Sequence, residues 1–268
     1  MEREITKKAF DGVELYGKAN VPDTPRAAIV MIHGLCEHQG RYDYVAGYLN
    51  RQGFGTYRFD LRGHGRSGGP RTYYSHEEEI IKDAKVFVDL ALKENPGLPV
   101  FVFGHSLGGY AAAYFGTKWP GLVKGFVTTG AWTRDNKEAL IGIPDGLDPN
   151  FETDNTLADA VCSDRAVVEA YNNDPYTQPK VTLGLFYAVK KGHAWMKENA
   201  TLFTDPVIVM HGASDMIVSE KDSRDFFGEI GSEDKSLFIY SGLWHEILNE
   251  PCKDRILGDI TEWLNERI

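Results

Sequence analysis

Cysteine is scarce in this chain and forms no framework. Cys36, Cys162 and Cys252 are odd in number, far apart and free of any Cys-x-x-Cys spacing. That pattern suits free thiols in a reducing, cytoplasmic compartment rather than a disulfide-stapled scaffold. Positive charge is in deficit as well: 29 Lys and Arg against 39 Asp and Glu leave a formal charge of −10. Such a surface repels nucleic-acid phosphates and disfavours stable docking on anionic lipid, so no nucleic-acid partner is expected. No apolar run approaches the ~20 residues of a membrane span. The first eight residues, Met1 to Lys8, contain no apolar core, so no signal peptide is predicted. There is no Gly-Lys-Ser/Thr, hence no phosphate-cradling P-loop, and the eight histidines show no metal-ligand spacing. Neither a metal nor an organic cofactor is expected. Internal repeats and low-complexity tracts are missing too. What is present is ordinary for a globular protein: 268 residues, 42% apolar and 25% charged. That is enough for one large core with an insertion, and short for two independent units.

Along the chain the pattern alternates strand and helix. Residues 3–9 and 13–19 flank Phe10-Asp11-Gly12, where Asp-Gly reads as a hairpin turn. Apolar strands are predicted at 27–32, 54–59, 99–103, 125–129, 206–210 and 237–240, and helices at about 42–51, 75–95 and 252–265. Apolar strands joined by helices predict an α/β fold, a mostly parallel sheet covered on both faces. Residues 131–204 interrupt this alternation. They are rich in Asp, Asn and Pro at first. A helix-like stretch at 181–199 then sets Leu185, Phe186, Val189 and Met196 against Lys190, Lys191 and Lys197. An insertion of this size between core strands reads as a helical cap, or lid, on a core of residues 1–130 and 205–268.

The most informative segment is Gly104-His105-Ser106-Leu107-Gly108-Gly109, which follows the strand Phe101-Val102-Phe103 and precedes Ala111-Ala112-Ala113. Strand, tight turn and helix place Ser106 on a strained corner with its hydroxyl free to attack. A serine hydroxyl needs a base, and the base needs an orienting carboxylate. Such partners belong in loops at the carboxyl ends of later strands. Asp215 follows the strand 206–210 and His245 follows the strand 237–240, giving the order Ser, Asp, His. Asp205 precedes its strand and so sits at the wrong edge; His211 comes before the acid, and His193 lies in the insertion. The developing oxyanion needs two backbone N–H donors. Leu107 follows the nucleophile, and Leu35 lies in the loop His33-Gly34-Leu35-Cys36-Glu37-His38. His33 reads as a support for that loop. Gly63-His64-Gly65-Arg66-Ser67-Gly68 matches a dinucleotide fingerprint, but Gly69-Pro70-Arg71 follows where a helix should open, so it reads as a turn.

Phe59-Asp60-Leu61-Arg62-Gly63-His64-Gly65-Arg66-Ser67, the block from His33 to Tyr42 and the serine elbow together resemble the monoacylglycerol lipase and lysophospholipase group of α/β-hydrolases. The resemblance runs from about Val13 to the last helix and is weakest in the cap. It implies the α/β-hydrolase fold, Ser106, Asp215 and His245 as catalytic triad, and Leu35 and Leu107 as oxyanion donors. It also implies a cap holding an acyl pocket, and Glu37 and Arg41 near a polar corner for the alcohol. Cys36 departs from the small glycine commoner in that loop. The sequence therefore predicts a serine hydrolase of small acyl esters, most simply monoacylglycerols, with Phe186 and Val189 in the roof of the pocket. Transient contact with a lipid surface through the cap is compatible with this; oligomeric state stays open. An aryl or feruloyl-type esterase is the alternative if Phe186, Tyr187 and Trp195 line a flat slot. A non-catalytic small-molecule receptor on the same fold is the alternative of another class.

Overall fold

Strands that are apolar on both faces must be covered on both faces, and here helices do it. A computed structural model describes residues 2–268. β1 (Glu2–Lys8) and β2 (Glu14–Asn20) form an antiparallel hairpin, with Glu2 opposite Asn20 and Lys8 opposite Glu14. Next come β3 (Ala27–Ile32), α1 (Asp43–Arg51), β4 (Phe54–Phe59), α2 (Glu79–Glu94), β5 (Val100–His105), α3 (Leu107–Lys118) and β6 (Gly125–Thr129). The insertion holds β7 (Glu152–Asp154), α4 (Arg165–Asn173), β8 (Lys180–Thr182) and α5 (Leu183–Glu198). The chain then returns to the core with β9 (Val207–Gly212), α6 (Glu220–Glu229), β10 (Lys235–Tyr240) and α7 (Lys253–Asn265). No helix among the described residues is long and apolar enough to cross a membrane.

The eight long strands lie in the order β1-β2-β4-β3-β5-β6-β9-β10. Only the pairs β1·β2 and β2·β4 are antiparallel; the rest are parallel. Strand order reverses between β3 and β5, so the loops after these two strands open a crevice at the carboxyl edge of the sheet. Alternate residues feed the two cores. Ala28, Val30 and Ile32 pack under α2 and α3, while Ile29 and Met31 pack under α1 and α7 with Phe101, Phe103, Ile208 and Met210. Helix α3 is apolar nearly all round and buried from Leu107 to Thr117, as befits the central helix behind the elbow.

Two features go beyond the sequence-based expectation. β7 and β8 pair antiparallel as a ribbon of their own, separate from the central sheet. Helices α4 and α6 lie outside the helices predicted above: α4 buries only Val168 and Tyr171, and the buried residues of α6 are Asp222, Ser223 and Phe226.

Candidate active site

β5 runs straight into Ser106, whose φ of +55° lies in the left-handed region that side chains other than glycine avoid. The conformation costs on the order of 1–2 kcal/mol. The surroundings hold it: Ser106 N–H donates to the Thr129 carbonyl at 2.9 Å, and the Ser106 carbonyl accepts from Tyr110 N–H at 2.9 Å and Trp132 N–H at 3.2 Å. The turn is tight because strand and helix almost touch. A Cβ on Gly104 would strike the Gly108 backbone, and one on Gly108 would strike the Ile32 and His33 carbonyls. Ser106 thereby heads α3, the positive end of a helix dipole.

His245 and Asp215 come from the loops after β10 and β9 and meet at the same edge. His245 Nδ1 lies 2.6 Å from Asp215 Oδ2, and both side chains are buried. The segment 129–132 touches both this pair and the elbow. It binds Ser106 as above, and a Cβ on Gly130 would stand 3.1 Å from His245 Nδ1. Asp215 Oδ1 accepts the Ile217 and Val218 N–H groups at 2.8 and 2.9 Å, and Oδ2 also faces His211 Nε2 at 2.9 Å. Burial raises the Asp215 pKa, but the His245 charge and the hydrogen bonds from both imidazoles win and hold the carboxyl well below the usual carboxylate range. For His245, burial disfavours the imidazolium; Asp215, helped by Glu246 and Glu37, reverses the sign and lifts it above the ordinary histidine value. The neighbouring His105 ring, with its centroid 4.7 Å from that of His245, is pushed down to about 4 by burial and by His245, so it stays neutral.

The loop after β3 lies against the elbow: a Cβ on Gly34 would be 3.1 Å from Ser106 Cβ. Glu37 Oε1 accepts from Gly34 N–H at 2.6 Å and from the Tyr42 hydroxyl at 2.7 Å, pinning the loop. Neither Leu35 N–H nor Leu107 N–H has a hydrogen-bond acceptor among the described residues. His33 takes the Leu61 N–H on Nε2 at 2.9 Å, so its Nδ1–H donates to the Gly34 carbonyl at 2.7 Å. Burial also keeps its pKa far below the ordinary value, and it serves as a fixed neutral support. Cys36 is buried at φ +64° where a glycine would be relaxed, and its carbonyl accepts from Gln178 N–H of the insertion at 2.8 Å.

A cavity of about 330 Å³ opens at Ser106, lined by Leu35, Trp132, Leu157, Val181, Phe186 and Ile217 among others. Three expectations need correction against this cavity. Glu37 and Arg41 are not among its lining residues: Arg41 Nη1 lies 2.7 Å from Glu37 Oε2, and its two Nη atoms lie 2.6 and 2.8 Å from Glu246. A carboxylate and a guanidinium matched this well stay with each other behind the loop, so they form no open corner for an alcohol. Val189 faces inward from α5 into the main core and does not reach the cavity, whereas Phe186 does. Nor do three aromatics form a slot: the Tyr187 hydroxyl donates to the Pro144 carbonyl, and Trp195 packs on Tyr114 with ring centroids 5.3 Å apart.

The set-aside residues have other partners. Asp205 accepts from Gly121 N–H at the opposite edge of the sheet. His193 binds the Trp132 carbonyl at 2.6 Å, and burial lowers its pKa to about 4. The glycine-rich segment at 63–68 wraps Asp60, which accepts from Gln39 and Arg66 N–H groups at 2.8 Å each. No three His, Cys, Asp or Glu side chains among the described residues are arranged to hold a metal ion. Sequence reasoning set His211 aside because it precedes the acid and missed Glu246, whose one signal was its place beside the base.

Residues 23–252 match the family described as Serine aminopeptidase, S33. The chain is 35% identical over 261 residues to the monoacylglycerol lipase of Mycolicibacterium smegmatis, covering 94% of this chain and 93% of that protein. It is 28% identical over 255 residues to the monoglyceride lipase of Homo sapiens, covering 91% and 84%. The crystal structure of a monoacylglycerol lipase from Paleococcus ferrophilus superposes with a TM-score of 0.84 at 28% identity, over 95% of this chain and 99% of that one. The chain therefore belongs to this α/β-hydrolase family, within its monoacylglycerol lipase group, and is an ester hydrolase.

Proposed function

We propose that the protein hydrolyses monoacylglycerols or closely related small acyl esters through Ser106, His245 and Asp215. The observation that carries this reading is the 2.6 Å contact of His245 Nδ1 with an Asp215 carboxylate held anionic, at the edge where the strained Ser106 heads α3. Asp215 accepts Nδ1–H and so leaves His245 Nε2 free as the base. Nε2 takes the Ser106 proton as Oγ attacks the ester carbonyl carbon. The Leu35 and Leu107 N–H groups receive the oxyanion, an interaction typically worth about 10²–10³ in kcat per donor. The tetrahedral intermediate collapses, the glycerol oxygen leaves with the proton from His245, and the acyl group stays on Ser106. Water, deprotonated by the same nitrogen, then attacks the acyl-enzyme and releases the fatty acid.

Residues 131–204 serve as the cap in this reading, with Trp132, Leu157 and Phe186 around the acyl chain. The relatives named as monoacylglycerol lipases support the substrate class. No observation favours the aryl-ester alternative, since Tyr187 and Trp195 engage other partners. A hydrolysis panel of monoacylglycerols and aryl esters of graded chain length, together with fluorophosphonate labelling, tests the proposal. Monoacylglycerol turnover and labelling should both vanish in Ser106→Ala. Labelling that persists in this variant, or aryl esters turned over far better at every chain length, would overturn it.

A further inference from the structure

His211 is the penultimate residue of β9, four residues before Asp215, and is fully buried. Its Nε2 stands 2.9 Å from Asp215 Oδ2 and 3.3 Å from the Val218 carbonyl, and its Nδ1 stands 2.7 Å from Ser223 Oγ on α6. Both partners of Nε2 are acceptors, so Nε2 carries the proton. Ser223 Oγ, which can donate or accept, meets the other ring nitrogen, so the imidazole is held at both ends. Asp215 Oδ2 thus has two imidazole donors, His245 at 2.6 Å and His211 at 2.9 Å. With Oδ1 held by the Ile217 and Val218 N–H groups, the carboxylate cannot turn.

We propose that His211 is a positioning residue of the reaction: by donating to the carboxylate oxygen that also binds His245, it fixes Asp215 and draws off part of the charge that faces the base. This rests on the reading of Ser106, His245 and Asp215 given above. Two donors on one oxygen each receive less of its electron density. His211 therefore weakens the pull of Asp215 on the His245 imidazolium, so that the base becomes neutral at lower pH than an undivided carboxylate would allow. The other groups around the pair are Asp222 on α6, Lys137, whose Nζ is 3.1 Å from the Asp215 carbonyl, and Glu246, Glu37 and His105 around His245. None of these shares the Oδ2 atom with His245.

The test compares kcat/KM against pH for His211→Phe, His211→Gln and Ser223→Ala with the parent, on one monoacylglycerol. Phe removes the donor; Gln can place an amide N–H where Nε2–H was. His211→Phe should lower kcat by roughly tenfold and move the acid limb up by about half a pH unit or more, since the carboxylate is then undivided. His211→Gln should return the limb to within about 0.2 units of the parent, and Ser223→Ala should move it up by less than Phe does. If His211→Phe does not fold, the Gln and Ala variants decide: a parental limb in Gln with a small upward shift in Ala supports the proposal. An unmoved limb in Phe, or equal shifts in Phe and Gln, overturns it while the triad reading stands. A parent with no acid limb, or an active Ser106→Ala, overturns both.

Discussion

Ser106 shows how much one residue can depend on its frame. Its left-handed φ is tolerated because Thr129 and Trp132 bind its backbone on one side and α3 begins on the other. The hydroxyl contributes little to packing, so Ser106→Ala should keep the thermal midpoint within a degree or two while abolishing turnover. Asp215→Asn should cost about 10³–10⁴ in kcat, because an amide in place of a carboxylate favours the wrong tautomer of His245. Activity untouched by Asp215→Asn would remove that residue from the mechanism. The pH dependence follows from the sign of the His245 shift. Asp215 raises its pKa above the ordinary histidine value, and only the neutral ring is a base. Thus kcat/KM should rise with pH through that raised pKa and level off above it. A rate profile that is flat from about pH 5 to 8 would show that no histidine base is at work.

At the scale of elements, the insertion is tied to the core at both sides of the site. Gln178 N–H binds the Cys36 carbonyl, the Thr182 hydroxyl binds the Thr72 carbonyl at 2.6 Å, and Glu246 N–H binds the Val161 carbonyl at 2.8 Å. Helix α5 buries Leu185, Val189 and Met196 in the main core, so its apolar stripe is first a packing surface. Phe186, next along that helix, is turned toward the cavity with Leu157. Substitutions at the two kinds of position should therefore behave differently. Leu157→Asp should reduce kcat/KM for a decanoyl ester far more than for an acetyl ester. Each methylene that loses its apolar contact forfeits at most ~0.8 kcal/mol, about fourfold. Val189→Asp buries a charge without a partner and should lower the stability of the whole protein, with similar losses on both esters. Equal effects of Leu157→Asp on the two esters would place the acyl chain elsewhere.

For the whole molecule, several buried charges are balanced against the cost of burial. The Arg41 guanidinium joins Glu37 and Glu246, and Arg62 lies between Asp11, Glu79 and Asp83. Burial lifts Asp83 to about 6 even beside Arg62, and it raises the Asp222 pKa to about 6 as well, although the Asn136 side chain and N–H donate to it. The folded state then holds that proton above the pH at which the unfolded chain, near the ordinary aspartate value, has lost it. Stability therefore falls as pH climbs through this window. Above about pH 6 the charged carboxylate costs up to ~3 kcal/mol. Asp222→Asn keeps an acceptor for Asn136 and removes the titration. Its urea midpoint should exceed that of the parent at pH 8 and match it near pH 4. A midpoint below the parent's at pH 8 would mean that the negative charge itself stabilises the fold.

Local chemistry determined a good deal by itself. Apolar strands with helical repeats between them dictated a layered parallel sheet, and glycines two residues either side of Ser106 dictated the elbow, since no side chain fits there. The places of Ser106, Asp215 and His245, each just past a strand, brought all three to one edge, because parallel strands end on the same side. Other matters were decided only by the neighbours that folding supplied. Glu37 and Arg41 could have faced a substrate, but Glu246, 205 positions from Arg41 in the chain, satisfies the guanidinium and turns both inward. Val189 and Phe186 share one apolar stripe, and periodicity cannot say which of them meets the core and which the cavity. His211 looked idle beside the acid until β9, α6 and the turn between them closed around one carboxylate. A sequence pattern fixes which face of an element is apolar and where a chain must turn. Partners for buried charges come from distant segments, so they are set by the tertiary fold.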